Sequence, residues 1–282
     1  MRPDQRAVEQ IVQLALQEDA PWGDITSEAL LPPNLRIDAQ LRAREDGVFC
    51  GEDLFTAAMR SDLRVKVEFF KHDSESFRKG EAIAAVDGPA RTILRAERIA
   101  LNFVQRLSGI ATTTAKYVAE TAGTKARIVD TRKTTPGLRL FERYAVRCGG
   151  GHNHRFSLSD ALMAKDNHIA AMNGTSTADL TEKLRTAFAG LSHTIAIEVE
   201  VDRIEQIDPV IAAGVDIIML DNFSIDDLKA GVLQVAGRAL IEASGGVSLD
   251  QVREIAATGI DIISVGALTH SVRALDLGLD IE

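Results

Sequence analysis

Apolar positions follow two regimes along the chain, and the change comes near residue 126. Before it, Val8, Ile11, Val12, Leu14, Ala15 and Leu16 recur with the spacing of one helix face. This predicts an amphipathic helix from Pro3 to Glu18, with the proline near its first turn. The link Asp19–Thr26 reads as turns, with Asp24 and Thr26 in capping roles. Ile37, Ala39, Leu41 and Ala43 alternate and predict a strand within 36–49. Gly51–Met59 reads as a short helix, and Val65–Phe70 and Ala82–Val86 as further strands across the turn-rich Asp73–Gly80. A long helix then starts near Pro89 and runs past Val104. Arg91, Arg95, Arg98 and Gln105 recur along it, with Leu94, Leu101 and Phe103 for packing. Strands followed by a long helix predict an α+β sandwich.

After residue 126, short apolar runs alternate with amphipathic segments of helical length. The last four runs begin near Ile195, Ile217, Ala239 and Ile262, separated by 22, 22 and 23 residues, about one strand–helix unit each. The helices between them read as Arg203–Ala213, Ile225–Ala236 and Leu249–Ala257. Strands are expected near 127–130, 159–164, 195–201, 217–220, 239–243 and 261–264. Six strands fall short of eight, so the expected fold is α/β: an incomplete, open parallel β/α barrel behind an N-terminal α+β sandwich. The tail Ala274–Glu282 alternates and is expected to return to the N-terminal sheet. The division predicted is 1–112, joined by 274–282, and a barrel domain 113–273 that carries the active site.

Composition narrows the function. The balance of 45% hydrophobic and 26% charged residues is that of an ordinary globular protein, and 282 residues suffice for one barrel and a smaller companion. A formal charge of −9 argues against nucleic acid or an anionic membrane as partner. No run approaches the roughly 18 apolar residues of a membrane span, and MRPDQRAVEQ has no apolar signal core. Cys50 and Cys148 alone make neither a disulfide framework nor a four-cysteine metal site. A cytoplasmic protein is expected.

Within this acidic chain, residues 127–155 hold seven Lys/Arg against two acids, a net of +5. Such an island concentrates an anionic ligand without making the whole surface adhesive. Arg132 and Lys133 follow the β-branched run Ile128-Val129 and so fall at a strand's carboxyl end. Pro136 and Gly137 open a helix, Leu138–Arg147. Gly149-Gly150-Gly151 end it, and His152-Asn153-His154-Arg155 follow on a loop. A solvated helix face accounts for Arg139, Arg143 and Arg147, spaced four apart, but not for Arg132-Lys133 or the His-Asn-His-Arg run. Arg supplies a planar fork for carboxylate or phosphate, and Lys a point charge.

Barrel sites lie at strand carboxyl ends. Those ends carry Lys165, then Glu198 and Glu200, Asp221-Asn222, Ser244-Gly245-Gly246, and Val265-Gly266-Ala267. Two acidic ends followed by two glycine-bearing ends fit a metal-bound pyrophosphate beside a phosphate cradle of backbone N–H groups. Glu198 and Glu200 are two apart and share a strand face, so alternation does not choose between them, and a charge facing out of the barrel is the bland explanation of Glu198.

The segments TRKTTPGLR, Tyr144-Ala-Val-Arg-Cys-Gly-Gly-Gly, NHR, KDNH, Leu107-Ser-Gly-Ile-Ala-Thr112, Glu198-Val-Glu-Val201, Leu220-Asp-Asn-Phe223 and Glu242-Ala-Ser-Gly-Gly246 resemble, in order, quinolinate phosphoribosyltransferase. This is a family of type II phosphoribosyltransferases. The resemblance implies transfer of phosphoribose from phosphoribosyl pyrophosphate to quinolinate with decarboxylation, giving nicotinate mononucleotide, CO2 and pyrophosphate for NAD biosynthesis. It implies that Arg132, His154 and Arg155, with Arg98 from a partner subunit, bind the quinolinate carboxylates. Lys133 and Lys165 would neutralise carboxylate and pyrophosphate, and Glu200 rather than Glu198 would join Asp221 at Mg2+ and the ribose hydroxyls. Ser244, Gly245, Gly246, Gly266 and Ala267 would hold phosphate. A homodimer with a shared site follows from the role of Arg98. Two other readings remain open: transfer to another pyridine or azole acid, and a non-catalytic anion sensor, which Glu200 and Asp221 argue against.

Overall fold

In a computed structural model, residues 2–172 and 177–281 are described. In chain order the elements are α1 (Gln5–Asp19), α2 (Ile25–Leu30), β1 (Arg36–Ala43), β2 (Gly47–Val48), α3 (Glu52–Met59), β3 (Lys66–Phe69), β4 (Ser76–Phe77), β5 (Ala82–Pro89) and α4 (Ala90–Glu120). They continue with β6 (Arg127–Val129), α5 (Arg139–Cys148), β7 (Leu162–Ala164), α6 (Asp166–Ala171), α7 (Thr177–Phe188), β8 (Ile197–Val201), a 3-10 turn (Ile204–Gln206) and α8 (Ile207–Ala212). The chain closes with β9 (Ile217–Asp221), α9 (Ile225–Val235), β10 (Leu240–Ser244), α10 (Leu249–Ala257), β11 (Ile262–Ser264), α11 (Ala267–His270) and β12 (Leu277–Ile281). No helix among the described residues is long and apolar enough to cross a membrane.

Two compact units emerge. The first comprises 1–115, 135–150 and 271–282. Its antiparallel sheet has the order β12-β1-β5-β3. The alternation read in β1 buries Ala39, Leu41 and Ala43. The tail pairs with the same strand, Ala43 opposite Leu277 and Ala39 opposite Ile281; Glu282 lies outside the described residues. Asp24 caps α2, accepting the N–H groups of Thr26 at 3.0 Å and Ser27 at 3.1 Å, so a helix stands where the sequence suggested only turns to Thr26.

Segment 135–150, assigned from sequence to the barrel domain, groups with this first unit. Its α5 buries Phe141, Ala145, Val146 and Cys148 together with one charged side chain. Glu142 on α5 is fully buried and accepts from Arg106 on α4 at 2.7 Å and from the Thr135 N–H at 3.1 Å. Tyr144 donates to Asp73 at 2.8 Å.

The second unit, 116–134 and 151–270, holds six parallel strands in the order β6-β11-β10-β9-β8-β7. The 22-residue beat of the sequence corresponds to β8, β9, β10 and β11, each followed by a helix or turn. His152 adds a one-residue parallel bridge to the free edge of β6 at Val129, with its N–H on Ile128 O at 2.8 Å. Among the described residues no ladder joins that segment to β7, so the barrel is open there. The strand expected over 159–164 starts only at Leu162, because Asp160 turns the chain by accepting the N–H groups of Phe156 (2.6 Å) and Ser157 (3.1 Å).

Candidate active site

One cavity of about 540 Å³ opens at the carboxyl ends of these strands. Its walls carry both signs of charge. Arg132, Lys133, His154, Arg155 and Lys165 line it together with Glu200, Asp221 and the turn Ser244-Gly245-Gly246. Ten residues named from sequence therefore meet in one place. Gly266, Ala267 and Arg98 are not among its lining residues. Gly266 instead gives room to Lys133, since a Cβ there would lie 3.3 Å from the lysine Cδ. Ala267 begins α11, and Arg98 is exposed on α4 in the first unit.

Local structure explains the basic side. Asp130 is fully buried at the end of β6. It accepts the Asn153 side-chain amide at 2.5 Å and the His154 N–H at 2.8 Å, so the one acid beside the strand end positions the histidine loop. Arg155 is held by a bond from Nη1 to Ala161 O at 2.9 Å. Its guanidinium is pushed below the ordinary arginine range by burial and by the neighbouring charge of Arg132. Arg132 Nε is buried without a hydrogen-bond partner. Two partly desolvated guanidiniums that repel each other form a site whose energy falls when an anion arrives.

Beneath them lies a cluster that sequence reasoning missed. His154 Nε2 is 3.3 Å from Glu198 and 3.4 Å from Glu242, both carboxylates nearly inaccessible. Burial opposes a charged ring, but the hydrogen bonds to the two glutamates outweigh it and raise His154 to about 10. Glu198 rises above the usual carboxylate range, through burial first and Glu242 among the other causes. In the neutral ring Nδ1 accepts the Arg155 N–H at 2.7 Å and the single ring proton lies at Nε2, toward the carboxylates, whereas the charged ring carries a proton on each nitrogen. Glu198 thus faces the barrel interior, correcting the outward-facing alternative. Its neighbour on the same face, Glu200, sits one layer nearer the mouth and contacts Lys165 Nζ. Along the ladder Glu198 is level with Ile217, Glu200 with Met219, and Met219 with Glu242, so the glutamate that shares His154 with Glu198 comes from the next ladder row.

The glycine turn is a close approach. Gly245 has φ +102, and a Cβ on it would lie 2.3 Å from Asn222 Oδ1. Asn222, itself at φ 58, donates to Asp221 at 2.6 Å. Thr131, Met163, Met219, Asn222, Glu242 and Ser264 also line the cavity and were not singled out for it. For Glu242 a signal existed, a charge inside the apolar run Leu240–Ala243.

An open parallel barrel with fixed cations, acids and a glycine turn at its strand ends defines a barrel enzyme acting on several anionic groups at once. The chain matches the family models "Quinolinate phosphoribosyl transferase, N-terminal domain" over residues 24–108 and "C-terminal domain" over 110–280. It is 41% identical to the probable nicotinate-nucleotide pyrophosphorylase [carboxylating] of Bacillus subtilis, over 94% of this chain and 90% of that one. Identity to the nicotinate-nucleotide pyrophosphorylase [carboxylating] of Mycobacterium leprae is also 41%, over 98% and 97%. The solved nicotinate-nucleotide pyrophosphorylase of Francisella tularensis superposes with a TM-score of 0.92 at 36% identity, covering 100% of this chain and 98% of that one. The chain belongs to the quinolinate phosphoribosyltransferase family and is a phosphoribosyltransferase.

Proposed function

We propose that the chain transfers phosphoribose from phosphoribosyl pyrophosphate to quinolinate with loss of CO2, yielding nicotinate mononucleotide and pyrophosphate for NAD biosynthesis. The observation that carries this reading is that Arg132 and Arg155 line one cavity with Glu200 and Asp221. Quinolinate brings two carboxylates. Arg132, whose Nε has no partner, and Arg155 would take them, with His154, held against Glu198 and Glu242 through Nε2, beside them. Lys133 and Lys165 would neutralise carboxylate and pyrophosphate. The Ser244-Gly245-Gly246 turn would hold phosphate through backbone N–H groups.

Displacement at the anomeric carbon develops oxocarbenium character, so catalysis rests on positioning and fixed charge rather than on a protein nucleophile. Once the glycosidic bond exists, the cationic pyridinium nitrogen stabilises the carbanion left at C2 by decarboxylation. Glu200 and Asp221 are hard oxygen donors at the mouth and suit Mg2+, which binds through one or two carboxylates while retaining water. When bound, the ion would offset pyrophosphate charge.

The same reading makes the enzyme a cytoplasmic homodimer, with Arg98 of a second copy completing the quinolinate site; its exposed place on α4 leaves it available. The test is CO2 release from carboxyl-labelled quinolinate. Release that depends on phosphoribosyl pyrophosphate and Mg2+, with no nucleotide formed from nicotinate, is the expected result. Turnover of nicotinate alone would replace the substrate, and binding without any product would leave only an anion sensor.

A further inference from the structure

Away from the barrel cavity, the first unit buries its only two cysteines side by side. Cys50 Sγ, Cys148 Sγ and a carboxylate oxygen of Asp73 all lie within 4.8 Å of one another. Cys50 is inaccessible, whereas Cys148 keeps 6% of its surface. Both backbones are pinned to α4. Ser108 Oγ accepts the Cys50 N–H at 3.1 Å and donates to Cys50 O at 3.3 Å. Next to Cys148, Gly149 packs so closely that a Cβ on it would lie 2.3 Å from Ala111 O and 2.6 Å from the Thr114 Cβ.

A metal ion is a poor occupant. The Asp73 carboxylate already accepts the Gly51 N–H (2.7 Å), the Glu52 N–H (3.2 Å) and the Tyr144 hydroxyl (2.8 Å), which leaves two sulfurs as ligands. Two buried thiolates would also carry charge into an apolar setting. A disulfide is neutral, and forming it requires the two sulfurs, within 4.8 Å of one another, to close to bonding distance.

We propose that Cys50 and Cys148 form a thiol-oxidation site that peroxides convert to an intramolecular disulfide and dithiols restore. The two sulfurs have distinct parts. A hydrogen bond from the Cys50 thiol, with another from Ser74, draws Cys148 below the ordinary thiol range, while burial pushes Cys50 well above it. Cys148, the residue with residual exposure, supplies the attacking thiolate, and Cys50 resolves. The Cys148 thiolate attacks the O–O bond; an S–O bond forms, and the departing hydroxide takes up a proton to become water. Cys50 Sγ then attacks the Cys148 sulfur. The S–S bond forms, the S–O bond breaks, and the hydroxyl leaves with the Cys50 proton as a second water. Overall, two thiols lose two electrons and two protons, and one peroxide becomes two waters. The bridge ties Cys50, two residues before α3, to the last residue of α5, where the glycine run toward His152 begins.

The test exposes the folded full-length protein to hydrogen peroxide, quenches in acid, alkylates in denaturant with N-ethylmaleimide and digests without reduction. The expected product is a peptide pair joining Cys50 to Cys148, two hydrogens lighter than the separate peptides. N-ethylmaleimide labels should fall from two to none and return after dithiothreitol. In Cys50→Ser, Cys148 should stop at a sulfenic acid trapped by dimedone; in Cys148→Ser, Cys50 should stay a thiol. Full labelling of both cysteines after peroxide, two or three oxygens on Cys148 with Cys50 free, or cysteine bridges only between chains would each overturn the proposal. The wild-type measurement stands whether or not either variant folds.

Discussion

Arg132 and Arg155 stand close enough for their charges to oppose each other, and one buried guanidinium nitrogen lacks a partner. Replacing either with alanine removes an interaction that forms only when an anion enters. Arg132→Ala and Arg155→Ala are each expected to weaken quinolinate binding by about 2–5 kcal/mol in calorimetry, with little change in the urea midpoint. Asp221→Asn should raise the KM for Mg-phosphoribosyl pyrophosphate while leaving binary quinolinate affinity nearly intact; equal losses for both ligands would mean the two half-sites are wrongly divided. His154 carries a pH signature. It titrates at about 10 when folded, against 6.5 for the free side chain. Between those values the native state holds a proton that the unfolded chain has released. Its contribution to stability is therefore complete below about pH 6.5 and lost as pH rises through about 10. The difference in urea midpoint between wild type and His154→Ala should be greatest near pH 6 and shrink toward pH 10. A difference that does not change with pH would remove the proton from this cluster.

At the scale of elements, two contacts decide how the site is held. The turn after β10 exists because Gly245 allows a left-handed backbone and lets Asn222 approach. Gly245→Ala adds about 1–3 kcal/mol of strain and should displace Asn222, raising the KM for phosphoribosyl pyrophosphate more than that for quinolinate. The joint between α4 and α5 rests on Glu142, buried and ion-paired to Arg106 at 2.7 Å. Arg106 keeps 31% of its side chain exposed and also donates to Thr135, so Glu142→Ala should cost about 1–3 kcal/mol in urea unfolding. A loss under 1 kcal/mol would show that α5 is held by its apolar face alone.

At the scale of the whole molecule, the proposed dimer is testable through activity. Arg98→Ala and Lys133→Ala proteins are each expected to be inactive. Mixed and allowed to exchange subunits, they should regain activity, up to about half of wild type for each mixed dimer if sites act independently. A mixed dimer rebuilds one site, with wild-type Arg98 from one chain and wild-type Lys133 from the other. No recovery despite demonstrated exchange would place both residues in one subunit's site or Arg98 outside it.

The chain by itself determined the elements whose signal is local. Period-two alternation marked β1, helical spacing marked α1, and the 22-residue beat marked β8 to β11, because each reports burial between residues a few positions apart. Strand ends were legible for the same reason, and with them the cations and acids that meet in the cavity. Tertiary structure alone decided partnerships. Glu198 and Glu200 look equivalent by alternation, yet the fold puts one against buried His154 and the other against Lys165 at the mouth. Glu242 meets His154 from 88 positions along the chain. Segment 135–150 joins the first unit through the Glu142–Arg106 pair, although its neighbours on both sides belong to the barrel. Periodicity has no access to such choices, since a buried charge takes its partner from whichever strand or helix the fold brings within about 4 Å.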